Sequence, residues 1–294
     1  MLKECGQDRC DDGSFPMSLD ILVPIHTYPD GNSTNLAHHF TSIALHLDAT
    51  VHAVILDVEF PKVSSPLGNM LIDVPNLLSG AKSVCREHGM AVASAMEVEM
   101  KAVGLQFRTT HVESYPGAVG DFVGKLGRYH DTVVIGIKAD DVTARATAEA
   151  VLFGSGKATL LVPEDAQPKP FGHVMIAWDG SRAAARAVAD AREFLNRAER
   201  VTILSVTDEK EFPNSDIGEQ LADHLARHKI KTDIAKTSSH GRPIAETLQD
   251  YAHEIEARLL VMGAFAHSRM RDFVLGGATS GILKNLRVPV LLSH

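Results

Sequence analysis

Residues 258–294 read RLLVMGAFAHSRMRDFVLGGATSGILKNLRVPVLLSH. A short apolar run, 258–263, ends on Gly263. A loop rich in small residues follows, 277–280 stand where a helix would begin, and 287–293 form a second apolar run. Short continuous runs of Val, Ile and Leu suit parallel strands buried on both faces. The segment therefore reads as strand, crossover helix, strand. Working upstream, HVMIAW at 173–178 and RVTILSV at 200–206 are two more such runs. Residues 181–196 read as one helix headed by Ser181 as its cap, and 216–228 and 243–257 follow the same logic.

The same order of elements occurs once more, earlier in the chain. DILVPI at 20–25, TVHAVIL at 50–56, DTVVIG at 131–136 and KATLLVP at 157–163 match the four later runs in turn. Between the two sets lies EDAQPKP at 164–170, polar and proline-bearing, which reads as a linker. The 294 residues thus divide into a unit at 17–163, a linker at 164–170 and a second unit at 171–294. The fold class expected is α/β, two tandem doubly wound parallel-sheet domains. Residues 60–76, rich in Pro, Ser and Gly, read as a loop. Residues 1–16 lack the apolar stretch of a signal peptide and read as a disordered tail, with Met17 an alternative start.

Composition narrows the function classes. The formal net charge is −8 and aromatic residues are 5% of the chain. That argues against nucleic acid or an anionic membrane as partner. No apolar run approaches the roughly 18 residues of a membrane span. Three scattered cysteines, Cys5, Cys10 and Cys85, fit a reducing cytoplasm and no disulfide framework. No metal-ligand spacing, nucleophile elbow or His-Glu-x-x-His motif is present, so the chain reads as a non-enzyme. His38, His39, His46 and His52 read as surface or satisfied histidines. The GSGKAT at 154–159 fails the spacing of a phosphate-binding loop and precedes a strand, so it reads as a turn.

In an open parallel sheet, ligands bind beyond the carboxyl ends of the strands at a switch point. Two segments of the second unit lie there. Asp179-Gly180-Ser181 follows the first strand, where Asp179 is either a base or ribose acceptor or a plain turn residue. The other is the loop from Gly263 to Ser280. Its small residues would let a backbone approach a ligand, and the helix start near Gly277 offers N–H groups to an anion. Arg269 and Arg271 lie within it, and Asp272 is its carboxylate. The alternative is a loop that only packs against its neighbours.

These residues together resemble the universal stress protein family in its tandem two-domain form, most closely over 173–294. The resemblance rests on Trp178-Asp179-Gly180-Ser181, on Met262-Gly263 and on the closing VPVLLSH. The family's nucleotide-binding members carry G-x2-G-x9-G-[ST]. Gly263 fits the first position and the nine-residue spacing holds between Ala266 and Gly276, but Ala266 replaces the second glycine and Gly277 the hydroxyl residue. The family implies a five-stranded Rossmann-like sheet in each unit, in order 3-2-1-4-5, with the units paired through their last strands. It implies that Asp179 contacts adenine or ribose and that Ala177 and Val206 line the base pocket. Gly263, Ala266, Gly276, Gly277, Ala278 and Thr279 would wrap ribose and phosphates. ATP or a related adenine nucleotide, with or without Mg²⁺, is the implied ligand of a cytoplasmic stress-response protein. A slow nucleotide hydrolase and a nucleotide-free interaction module remain open, as does a homodimer beyond the intramolecular pseudo-dimer. In the first unit His26 stands where Asp179 stands in the second, Gly136 matches Gly263, and Ala146 and Thr147 replace the glycine pair. That unit is expected to have lost the nucleotide.

Overall fold

The computed structural model describes residues 18–60, 74–208, 217–264 and 277–294. The first unit runs β1 (Asp20–His26), α1 (Leu36–Leu47), β2 (Thr50–Val58), α2 (Val74–Ala102), β3 (Phe107–Ser114), a 3-10 turn (Pro116–Ala118), α3 (Val119–Gly127), β4 (Thr132–Ile137), α4 (Val142–Gly154) and β5 (Ala158–Pro163). The second runs β6 (His173–Ala177), α5 (Arg182–Asp190), α6 (Arg192–Arg197), β7 (Arg200–Val206), α7 (Ile217–Ala226), β8 (Thr232–Thr237), α8 (Ile244–Glu254), β9 (Leu259–Gly263), α9 (Gly277–Lys284) and β10 (Val290–Ser293). The expected tail at 1–16 and most of the expected loop at 60–76 lie outside the described residues. The end of that loop, from Val74, is helical.

The strands form one ten-stranded sheet in the order β3-β2-β1-β4-β5-β10-β9-β6-β7-β8. Each unit is a five-stranded parallel, Rossmann-like half with the expected order 3-2-1-4-5. The halves meet where β5 and β10 pair antiparallel, with Leu161 opposite Val290, Leu160 opposite Leu291 and Thr159 opposite Leu292. All six of these residues are buried. The pairing removes two sheet edges that would otherwise invite aggregation. Other contacts brace the seam. Arg145 donates to the Lys284 carbonyl at 3.0 Å, and the ring of His46 stacks on Phe194 with centroids 5.8 Å apart.

Alternation along the strands builds two cores. Ile21, Val23 and Ile25 of β1 join the layer that also holds Ile176, Ile203 and Leu291. Leu22 points to the opposite layer, with Met175, Leu204 and Leu292. Helices cover both faces, as a parallel sheet requires. Only β3 and β8, at the two edges, present mostly exposed residues, and these include Arg108, His111, Asp233 and Lys236. Charged edge strands discourage pairing with further chains.

Two local expectations change. The helix expected over 181–196 is two helices, because Ala191 leaves helical geometry at φ −78°, ψ 3°. Ala191 is fully buried, so tertiary packing sets the break. Glu164, read as the first linker residue, belongs to the first half. Its backbone N–H bonds the Ile137 carbonyl at 3.1 Å and its side chain is buried.

Candidate functional site

β6 and β9 are neighbours, with Val174 opposite Leu259 and Ile176 opposite Val261. The carboxyl ends of these strands therefore lie side by side at the switch point of the second half. Ala177 and Asp179 leave one end and Gly263 closes the other. Ala177 and Val206, expected to line a base pocket, and Ala278, expected at the phosphates, all lie in the apolar layer that holds Met262 and Ala264. Asp179 Oδ1 accepts from the Ser181 N–H at 3.0 Å, and Ser181 Oγ caps α5 by accepting from Ala184 N–H at 3.1 Å. Gly180 sits at φ +69°, a left-handed turn that glycine adopts without strain. The turn orients Asp179, which is half-buried, over the strand ends.

Gly277 opens α9 as expected and is exposed, with nothing among the described residues where a side chain would stand. Thr279, on the first turn, is buried. Ala266, Gly276, Arg269, Arg271 and Asp272 lie outside the described residues. Gly263 has a structural role the sequence did not disclose. A Cβ there would lie 2.5 Å from the backbone of Ala183 and Ala184, so the glycine lets α5 lie directly on β9.

A polar knot unforeseen from the sequence holds the neighbouring loop. Asp208, just beyond β7, accepts from Ser238 Oγ at 2.7 Å, from the Ser239 and His240 N–H groups at 2.7 and 3.1 Å, and from Ser239 Oγ at 3.0 Å. The Ser239 N–H chief among them, these donors hold the Asp208 carboxyl well below the usual carboxylate range. The signal available was an acidic residue closing an apolar run, facing a Ser-Ser-His-Gly turn at 238–241.

The same place in the first half is closed. His26 Nε2 and Thr147 Oγ1 are 3.0 Å apart and hydrogen-bonded. The side chains are 2% exposed each, and burial lowers the His26 pKa, keeping the ring neutral. The residue in Asp179's position is thus bonded directly to one of the residues read as replacing the glycine pair. Asn32 Oδ1 accepts from the His26 N–H at 2.6 Å, and Asn32 Nδ2 donates to Glu164 Oε1 at 2.5 Å. Glu164 Oε2 accepts from the Ser33 N–H at 2.8 Å, with Lys138 Nζ at 3.8 Å. Burial pushes the Glu164 carboxyl up, against the pull of these donors. Beside Gly136, Leu36 Cδ1 fills the space that a Cβ would need, at 2.4 Å. Both Ala146 and Thr147 lie inside α4, which starts at Val142 after a short turn capped by Asp141.

The four histidines singled out in the sequence are placed, with His46 Nε2 buried and without a hydrogen-bond partner among the described residues. His38 meets Glu99 at 2.9 Å, His39 and His46 are packed at the seam, and His52 Nδ1 meets His130 Nε2 at 3.0 Å. Among the described residues, no group of three or more His, Cys, Asp or Glu is arranged to hold a metal ion, and no helix is long and apolar enough to cross a membrane.

Comparison with known proteins gives this architecture its class. Residues 170–294 match the profile of the Universal stress protein family. A universal stress protein from Archaeoglobus fulgidus DSM 4304 superposes with a TM-score of 0.68 over 94% of this chain and 98% of its own, at 16% identity. A functionally unknown protein from Pseudomonas aeruginosa PAO1 gives 0.56 over 94% and 92%, at 14% identity. No curated protein matches by sequence. The second half, residues 170–294, belongs to the universal stress protein family, and both halves have the family's fold in tandem.

Proposed function

We propose that the second half binds ATP or a related adenine nucleotide, and that the chain works as a cytoplasmic stress-response regulator rather than a catalyst. The observation that carries this reading is the asymmetry of the two switch points. In the first, His26 and Thr147 bond to each other across the position a nucleotide would take. In the second, Asp179 stands at the end of β6 where His26 stands at the end of β1, and no histidine occupies that place. The Asp179 turn and the uncrowded start of α9 then supply a carboxylate acceptor for a base amine or ribose hydroxyl and N–H donors for phosphate. Mg²⁺, where it accompanies the nucleotide, would be carried by the phosphates.

The test is chemical. Protein purified under native conditions is denatured and the supernatant is chromatographed for adenine nucleotides, and nucleotide-free protein is titrated with ATP by calorimetry. Bound nucleotide that Asp179→Ala abolishes supports the reading. No nucleotide and no heat of ATP binding would leave an interaction module. Steady phosphate release lost with Asp179→Ala would make the protein a hydrolase.

A further inference from the structure

A cavity lies apart from the switch point of the second half, lined on that half by residues that precede β9 and β10. It opens at the seam of the two halves, beneath the connection that joins them, and holds about 380 Å³. That volume lies in the range of small-molecule sites, roughly 300–1,000 Å³. Its walls come from α1, from the connection itself, and from the turns that precede β9 and β10. The floor is apolar. Ile43, Val162 and Phe171 line it and are 2%, 1% and 3% exposed, so the space is deep rather than a dimple.

The rim is charged, and the charge is one-sided. Lys169, Arg258 and Arg287 face a single carboxylate, Glu256. Arg287 is committed, since its Nη1 donates to Asp250 at 2.8 Å and its Nη2 to the Glu246 carbonyl at 3.2 Å. Arg258 is not, because its nearest carboxylate oxygen, on Glu256, is 3.9 Å away, beyond hydrogen-bond reach. Lys169, on the exposed connection, has no ion pair among the described residues. In a chain of net charge −8, two cations with donors to spare above an apolar floor stand out. His39 adds a neutral wall. Burial lowers its pKa, against the opposing pull of the Ala166 backbone.

We propose that this seam cavity binds an amphipathic monocarboxylate, with its apolar body on Ile43, Val162 and Phe171 and its carboxylate between Lys169 and Arg258. Arginine matches a carboxylate with two parallel donors, and the lysine adds a point charge. The body supplies apolar burial that a bare anion lacks. Because both halves and their connection line the cavity, such a ligand would bind the assembled pair and hold it together.

The full-length protein is titrated by calorimetry with three probes: octanoate, octylammonium and inorganic phosphate. Octanoate shares its body with the second and only its charge sign with the third. Saturable binding of octanoate at one per chain is expected, with neither of the others matching it. Lys169→Glu and Arg258→Gln should each weaken octanoate by about tenfold or more. Lys169 is exposed, so its variant keeps the test valid should Arg258→Gln perturb folding. Ser42→Phe, which narrows the cavity, should also weaken octanoate. Absence of saturable octanoate binding overturns the proposal. So does equal binding of octylammonium or of phosphate, and so does unchanged octanoate affinity in the Lys169 variant.

Discussion

Gly263→Ala separates two reasons for a glycine at the end of β9. One is close approach of a ligand, which would leave the free protein unaffected. The other is close approach of α5, which the structure displays. The new Cβ would stand 2.5 Å from the Ala183 carbonyl carbon and the Ala184 nitrogen, and 2.8 Å from the Ala183 Cβ. Ordinary contact begins near 3.4 Å, so about 1 Å of movement is required. The obstacle is backbone and cannot rotate away. Nor is α5 free to retreat, since its first turn is tied by Ser181 and Asp179 and Ala184 is 2% exposed. Overpacking of this kind costs about 1–3 kcal/mol. At roughly 2–4 °C per kcal/mol for a unit of this size, Tm should fall by about 3–10 °C. Thermal unfolding followed by circular dichroism on nucleotide-free protein measures it. Gly277→Ala is the internal control, because nothing among the described residues lies within 4 Å of the added methyl. Its Tm should hold or rise by a degree or so. A Gly263→Ala protein with wild-type Tm, or a Gly277→Ala protein that falls as far, would refute the packing argument.

Three further outcomes follow from the first half. Glu164→Ala leaves Asn32 Nδ2 and the Ser33 N–H without an acceptor in a buried site and strips Lys138 of its counter-charge, so denaturant unfolding should show a loss of about 3 kcal/mol or more, while Glu164→Gln, which keeps an acceptor, should lose less. Burial, the Arg108 charge and His130 lower the His52 pKa from 6.5 to about 4. The native ring is therefore neutral where the unfolded one is charged, so its contribution is complete above pH 6.5 and is lost as pH falls toward 4, by about 3 kcal/mol at most. Unfolding free energies measured from pH 7 to 4 should show that slope in the wild type and a shallower one in His52→Leu. Finally, His26→Ala should cost stability yet leave the number of nucleotides bound per chain unchanged by calorimetry, because the proposed reading places the nucleotide in the second half alone.

The buried strands were readable because a parallel strand covered on both faces must be continuously apolar, as in β2, β5, β7 and β10. The edge strands were not. FRTTHVES in β3 and TDIAKT in β8 point most of their residues to water and carry no such run. The Ser181 cap was legible from one residue type at one position, whereas the break at Ala191 was not, since alanine favours helix and only packing overrides it. Glu164 shows a different limit. An acid ahead of a proline-bearing stretch looks solvated, and only a partner distant in sequence, Asn32, reveals it as buried structure. At the site, the sequence identified the strand ends and the Asp179 turn. It did not disclose the packing role of Gly263, whose neighbour Ala183 lies on a helix some eighty positions earlier. The closure of the first half was half visible, as a histidine in the aspartate's place and Ala146 and Thr147 in place of the glycine pair. That His26 and Thr147 bond directly needed coordinates.

The claim on which the account turns is that one half binds nucleotide and the other does not. Calorimetric titration of nucleotide-free protein with ATP tests it most directly. One site per chain is predicted, lost in Asp179→Ala and retained in His26→Ala. Two sites per chain, no site, or a single site that Asp179→Ala leaves intact would contradict it.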